Sequence, residues 1–273
     1  MNNITSNFNQ IIEQASPQTS YAGGQARENG MPMEKKRGIL REYLQIKFLT
    51  DLYSRSTAKK LSFIGGTSLR LLHGIDRFSE DLDFDNLGLS QQALSKLITG
   101  VSQEFIRENI EVEVSAKLQA GITYHNLRFP KLLFDLKITT NPREKLMIKI
   151  DYSNQWRGQK PETVLLSKYG FIEQIITNPL SQIMVQKLTA YVNRQRTQPR
   201  DIYDVIWLFA SGVRPDKEFM KANRMPDLIE KAQEKFAAER VNLAMEQRLR
   251  PFLFNESETN KLRLFSEVLK KLA

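Results

Sequence analysis

Residues 60–88 read KLSFIGGTSLRLLHGIDRFSEDLDFDNLG, and the order of residue types in this stretch decides the fold. A short, mostly apolar run, Leu61-Ser62-Phe63-Ile64, delivers two glycines, Gly65 and Gly66, followed by the hydroxyls of Thr67 and Ser68. Without a Cβ the backbone can bend sharply and turn successive N–H groups toward an anion. Leu69, Leu71 and Leu72 predict a helix whose N-terminus faces the same point. The stretch then enters Asp81-Leu82-Asp83-Phe84-Asp85, where carboxylates alternate with large apolar residues. In a strand, side chains two apart share a face, so Asp81 and Asp83 point one way while Leu82 and Phe84 point into a core. Parallel carboxylates repel unless a cation sits between them, and oxygen-only ligands suit Mg²⁺, which in turn binds phosphates. Gly-Gly alone is a common turn, and an acidic alternating strand alone is a common half-exposed sheet edge. A phosphate cradle followed by a carboxylate pair points instead to metal-assisted phosphoryl or nucleotidyl transfer.

The combination of Gly65-Gly66-Thr67-Ser68, a helix and Ser79-Glu80-Asp81-Leu82-Asp83 resembles the first motif of the DNA polymerase β-like nucleotidyltransferases. More narrowly, GGTSLRLLHGIDRFSEDLDF is similar to the signature of the AbiEii/AbiGii toxin family, whose relatives include the MenT group. The resemblance implies an α+β fold, with a mixed polymerase β-like sheet, flanking helices and a C-terminal helical domain. Three domains are expected: a flexible arm over 1–33, a nucleotidyltransferase domain over 34–160 and a helical domain over 161–273.

Around the central stretch, apolar residues at helical spacing predict a helix over 34–55, with Lys35, Lys36, Arg37, Arg41 and Lys47 either solvating its outer face or meeting RNA. Ser90 is a candidate N-cap for a helix to about residue 108. Strands are expected over 110–116, 122–129 and 145–152. In the last of these Lys149 and Asp151 share a face opposite Ile148 and Ile150. Their Lys-Ile-Asp resembles the family's second motif, which implies that Asp151 is a third carboxylate and that Lys149 approaches nucleotide phosphates. A solvent-facing Lys/Asp pair is the plainer alternative.

Beyond residue 160 the pattern turns helical, with helices beginning near Pro179 and at Pro199 and further helices over 226–239 and 258–272. Lys187, Arg196, Arg200, Asp201, Tyr203 and Asp204 match the family's later motifs. The match implies that Lys187 is a cation for the triphosphate or the developing charge of transfer, and that Asp201 and Asp204 orient it, pair with Arg200 or assist the acceptor hydroxyl. An intrahelical salt-bridge network closing one domain on the other is the alternative.

Composition narrows the chemistry. The 273 residues include no cysteine, so disulfides, thiolate nucleophiles and thiolate zinc sites are excluded, and only two histidines are present. A net charge of +9 favours a polyanionic partner. No apolar stretch approaches membrane-spanning length and the polar start lacks signal-peptide character, so a cytoplasmic location is expected.

The resemblance implies a toxin of a bacterial toxin–antitoxin or abortive-infection system, and the basic charge agrees with an RNA substrate. Such a toxin would move a nucleotide from an NTP to an acceptor, expected to be the 3′ end of tRNA or another RNA, and would meet a cognate antitoxin. Asp81, Asp83 and Asp151 would hold Mg²⁺ or Mn²⁺. Gly65, Gly66, Thr67 and Ser68, with Arg77, Lys149 and Lys187, would hold the phosphates, in a site expected between the two folded domains. Asp201 and Asp204 complete the expected set. A small-molecule or protein nucleotidyltransferase and a non-catalytic nucleotide-binding partner are the alternatives, the latter disfavoured by the intact carboxylate pair.

Overall fold

The structure is a computed structural model that describes residues 3–15, 31–119, 122–239 and 241–273. It divides into two compact units, one comprising Met1–Asn154 with Thr163–Ile176, the other Gln155–Glu162 with Thr177–Ala273.

The first unit contains helices α1 (Asn3–Ala15), α2 (Lys36–Tyr53), α3 (Gly65–His73), α4 (Gln91–Arg107) and the short α5 (Leu132–Asp135). Its strands are β1 (Leu61–Ile64), β2 (Asp81–Asn86), β3 (Glu113–Gln119), β4 (Ile122–Phe129), β5 (Leu146–Ser153), β6 (Glu162–Lys168) and β7 (Phe171–Thr177). They form one seven-stranded sheet in the order β3-β4-β5-β2-β1-β7-β6. The sheet is mixed: β2 runs parallel to β5 and antiparallel to β1. Alternation sorts the strands' residues onto two faces. Phe63, Leu82, Phe84, Leu127, Phe129, Ile148 and Ile150 are buried on one. This face meets α4, as the Phe105–Phe129 edge contact at 5.4 Å shows, and α2, which packs on β5 and on α4. Each such fully buried side chain contributes roughly 1.5–3 kcal/mol. The other face carries Tyr124, Asn126, Lys149, Asp151, Asp81 and Asp83, none of them fully buried.

Ser90 caps α4 as expected, its hydroxyl accepting from the Ala93 N–H at 3.2 Å. The strand expected over 110–116 begins instead at Glu113, and the helix expected over 258–272 is a 3₁₀ stretch, Glu256–Leu264, that passes into the last α-helix. In the arm, residues 3–15 form α1, which buries Ile4, Phe8, Ile11 and Ile12 and contacts α2. Residues 16–30 of the arm lie outside the described residues. The sheet does not end near 160, where the change to helices was expected. The β6–β7 hairpin adds two strands, turning through Tyr169 (φ 53°) and Gly170 (φ 79°), the paired left-handed conformation of a tight hairpin. Its exposed Leu165 and Ile172 blur the alternation that would have announced it.

The second unit contains α6 (Leu180–Asn193), α7 (Pro199–Ala210), α8 (Lys217–Ala222), α9 (Leu228–Glu239), α10 (Leu243–Leu249) and α11 (Phe265–Leu272). Pro199 stands in the first turn of α7, where a missing N–H costs nothing. Phe265 packs edge-on against Tyr191 at 5.1 Å and Phe236 at 5.4 Å, joining α11 to α6 and α9.

Candidate active site

The polar face of the first unit is organised by the β1–α3 turn. Gly65 has φ 80°, a conformation L side chains rarely adopt, and a Cβ there would lie 2.8 Å from Asp83 Cγ and closer still to its Oδ2. The Asp83 carboxylate therefore rests directly against the backbone that opens α3. Ile64 supplies no side-chain cap to that helix, and the backbone and dipole at the helix start face the Asp83 carboxylate of β2. Gly66 is required by a second close approach: its Cβ would meet the Arg77 guanidinium and come 3.0 Å from Ser79 Oγ.

The neighbouring hydroxyls are placed differently from expectation. Thr67 and Ser68 are wholly buried, and the Thr67 hydroxyl donates to the Asp81 carbonyl. Thr67 thus fastens α3 to the first residue of the acidic strand, and any phosphate contact falls to the backbone of the turn. Arg77 is 1% exposed, and its Nη1 donates to the Phe78 carbonyl at 3.0 Å. It braces the Gly66 side of the turn from within the fold.

The β2–β5 register brings the second motif to the first. Asp83 is the partner of Asp151 and Asp81 the partner of Lys149 across the parallel pair, so the four side chains share one face of adjacent strands. Lys149 Nζ lies 2.7 Å from Asp151 Oδ2 and 4.3 Å from the centroid of the Tyr124 ring. Burial pushes the Asp151 carboxyl up, and Lys149 beside it offsets that only in part. Burial alone would lower Lys149, but its hydrogen bond to Asp151 and the nearby Asp81 hold it above the ordinary lysine value.

Among the described residues no three of His, Asp and Glu are already gathered as a metal cluster, and Lys149 engages one Asp151 oxygen. The donor set nonetheless fits a hard divalent cation. Three carboxylates share one face by register, and Asp151 Oδ1 is buried with no hydrogen-bond partner, a cost that a ligand in its place would relieve.

Lys187, Asp201 and Asp204 come together in the second unit, across α6 and α7. Lys187 Nζ is 2.8 Å from Asp204 Oδ2 and 3.6 Å from Asp201 Oδ1, and Arg194 Nε is 3.0 Å from Asp201 Oδ2. Asp204 is fully buried and Asp201 nearly so. The two aspartates therefore hold the lysine between helices of one unit.

Sequence reasoning missed the support that α2 gives to β2. Gln45 is 1% exposed and donates through Nε2 to the carbonyls of Ser79 (3.2 Å) and Glu80 (3.0 Å), the two residues before Asp81. Arg41 pairs with Glu80 at 2.9 Å. Glu42, 3% exposed, takes Arg70 Nε of α3 at 2.9 Å and also Lys168. Lys47 does not solvate an outer face; it is buried between Asp51 at 3.2 Å and Glu108 at 2.6 Å. The available signal was the polar trio Arg41, Glu42 and Gln45 on a helix whose apolar positions alone would have filled the core.

No curated protein matches the chain. Among solved structures it is similar to JHP933 from Helicobacter pylori, at 18% identity and a TM-score of 0.49 over 86% of this chain and 93% of that one. It is also similar to an antigenic nucleotidyltransferase-like protein from Paracoccidioides brasiliensis, at 14% identity and a TM-score of 0.44 over 71% of this chain and 88% of that one. The assignment rests on the sequence match: residues 47–271 fit the profile of the family described as nucleotidyl transferase AbiEii toxin, type IV TA system. The chain, whose glycine turn and carboxylate strand lie within the matched residues, is a nucleotidyltransferase that belongs to the AbiEii toxin family.

Proposed function

We propose that this nucleotidyltransferase is the toxin of its system and moves a nucleotide from an NTP to the 3′ end of tRNA, so that the blocked end no longer accepts an amino acid and translation stops. The family implies an antitoxin partner and an NTP substrate. The observation that carries the reading is the junction of Gly65 with Asp83, which sets a phosphate-binding helix start against a carboxylate of the acidic strand.

In this reading the backbone at Gly65 and Gly66 takes the β- and γ-phosphates. The acceptor hydroxyl oxygen attacks the α-phosphorus, forming an O–P bond as the bond from that phosphorus to the α,β-bridging oxygen breaks. The electron pair leaves with pyrophosphate, and the hydroxyl proton passes to the Asp151 carboxylate at Oδ2, the oxygen that Lys149 vacates on turning toward the phosphates. Asp81, Asp83 and Asp151 would hold Mg²⁺ or Mn²⁺, which when bound neutralises phosphate charge and makes the attacking oxygen more acidic. Lys149 turns toward the phosphates, and Lys187, oriented by Asp201 and Asp204, keeps the triphosphate role that its motif implies. The +9 charge supports RNA over a small cationic acceptor.

Incubating the protein with Mg²⁺, each α-labelled NTP in turn and total bacterial RNA tests the acceptor. Label in the tRNA band, removed by a 3′ exonuclease, is the expected result. Label confined to a small molecule or a protein would contradict the tRNA assignment.

A further inference from the structure

Sheet register continues the row of catalytic side chains beyond β5. Asp83 on β2 is the partner of Asp151 on β5, Asp151 of Tyr124 on β4, and Tyr124 of Lys117 on β3. All four side chains therefore project from the same face. At about 4.8 Å between strands, Tyr124 stands about 10 Å and Lys117 about 14 Å from Asp83 along the sheet. The neighbouring row runs from Asp81 through Lys149 and Asn126 to Ser115, whose hydroxyl holds Arg128 Nη1 at 2.9 Å. Lys117 is exposed, and Tyr124, Asn126 and Arg128 are partly so. Lys149, pinned to Asp151, lies over the Tyr124 ring and ties that ring to the carboxylates.

The sheet order gives this surface a direction. The phosphate-binding turn follows β1, on one side of Asp83, while β5, β4 and β3 lie on the other. In a phosphoryl displacement the attacking and leaving oxygens stand in line on opposite sides of the phosphorus. Pyrophosphate leaving on the α3 side requires the hydroxyl to arrive from the β5–β4 side.

We infer that the β3–β4 face is the acceptor platform: Tyr124 stacks the terminal base of a single-stranded RNA end, and Lys117 and Arg128 take its phosphates. The charge suits a polyanion, and one aromatic side chain flanked by cations on an open sheet is the arrangement that binds unpaired bases. The inference rests on the nucleotidyl-transfer reading above and adds to it the place where the acceptor lies.

The test uses the full chain, a fluorescent single-stranded oligoribonucleotide with a free 3′ hydroxyl, and separate titrations of RNA and NTP. Tyr124→Leu should weaken RNA binding roughly tenfold, the loss expected for one stacked base, and leave NTP affinity unchanged, while Tyr124→Phe binds as wild type. Lys117→Gln should weaken RNA binding more at low salt than at high salt. RNA affinity unchanged in Tyr124→Leu would overturn the platform. NTP affinity lost with RNA affinity kept would also overturn it, by assigning the ring to the nucleotide's base. If the wild type binds neither this probe nor tRNA, the RNA acceptor itself is wrong and the platform falls with it.

Discussion

At the scale of single residues, three positions make the account testable. Gly65 combines a left-handed φ with a carboxylate where its Cβ would be. Gly65→Ala should therefore cost about 1–3 kcal/mol of stability and, by moving Asp83, lower transfer on the order of 100-fold. Thermal melts with single-turnover transfer check both effects, and an active Gly65→Ala would mean that the close approach is dispensable. Lys187 is the second case. Its partner Asp204 is 0% exposed, so Lys187→Met alone should lose about 3 kcal/mol by stranding a buried charge. Loss of activity in that variant is uninformative by itself. Lys187→Met with Asp204→Asn should recover most of the stability and still fail to transfer; a stable and active double variant would reduce Lys187 to a structural role. The shared face of Asp81 and Asp83 was legible from strand alternation, whereas Asp151 was singled out by its likeness to the family's second motif and its pairing opposite Asp83 came only with the fold. The fate of Thr67 and Ser68 was not, since a buried hydroxyl bonded to a distant carbonyl reads like an exposed one bound for phosphate.

Elements were legible where the pattern is strong. The N-cap at Ser90, the apolar stripe of α4 and the alternation of β4 and β5 each state their own boundaries. The β6–β7 hairpin escaped because exposed Leu165 and Ile172 break the alternation, and the turn at Tyr169-Gly170 carries only one glycine. The polar grip of α2 on the approach to Asp81 escaped for a different reason: it depends on which face of α2 meets α3 and β6. Glu42 is its centre. Burial opposes ionisation there, but Arg70 and Lys168 beside it hold the carboxyl below its ordinary 4.5. Asp76, 3.9 Å from Arg70, and the half-buried Tyr169 are the other titratable groups near it. A carboxyl whose pKa is lower in the folded than in the unfolded chain binds fewer protons when folded. Its contribution is thus full above pH 4.5 and lost as pH falls through the lowered folded value. The contribution of Glu42 to stability should therefore begin to fall as pH drops below 4.5. Glu42→Gln should lose about 3 kcal/mol at neutral pH and flatten that part of the pH profile. A variant with an unchanged profile would show that the triad adds nothing to stability.

For the molecule as a whole, the question is where a net charge of +9 is directed. The basic cluster on α2 is largely engaged, with Arg37 paired to Glu144, Arg41 to Glu80 and Lys47 buried. In the loop between α6 and α7, Arg194 pairs with Asp201 yet keeps 51% of its side chain exposed, and Arg196 is exposed. Lys235 of α9 steadies this loop by donating to the Arg194 carbonyl. RNA affinity should fall by roughly tenfold or more between low and physiological salt, and Arg194→Gln with Arg196→Gln should shrink that slope. A flat salt response would exclude extended RNA contact. The central claim is narrower, that the carboxylates facing the glycine turn carry out nucleotide transfer with a divalent cation. It is tested most directly by single-turnover transfer from α-labelled NTP by wild type, Asp81→Ala and Asp83→Ala, with Mg²⁺ and with chelator, each protein first shown to melt as wild type does. The account predicts transfer only by the wild type in Mg²⁺; wild-type turnover by either variant, or undiminished turnover in chelator, would contradict it.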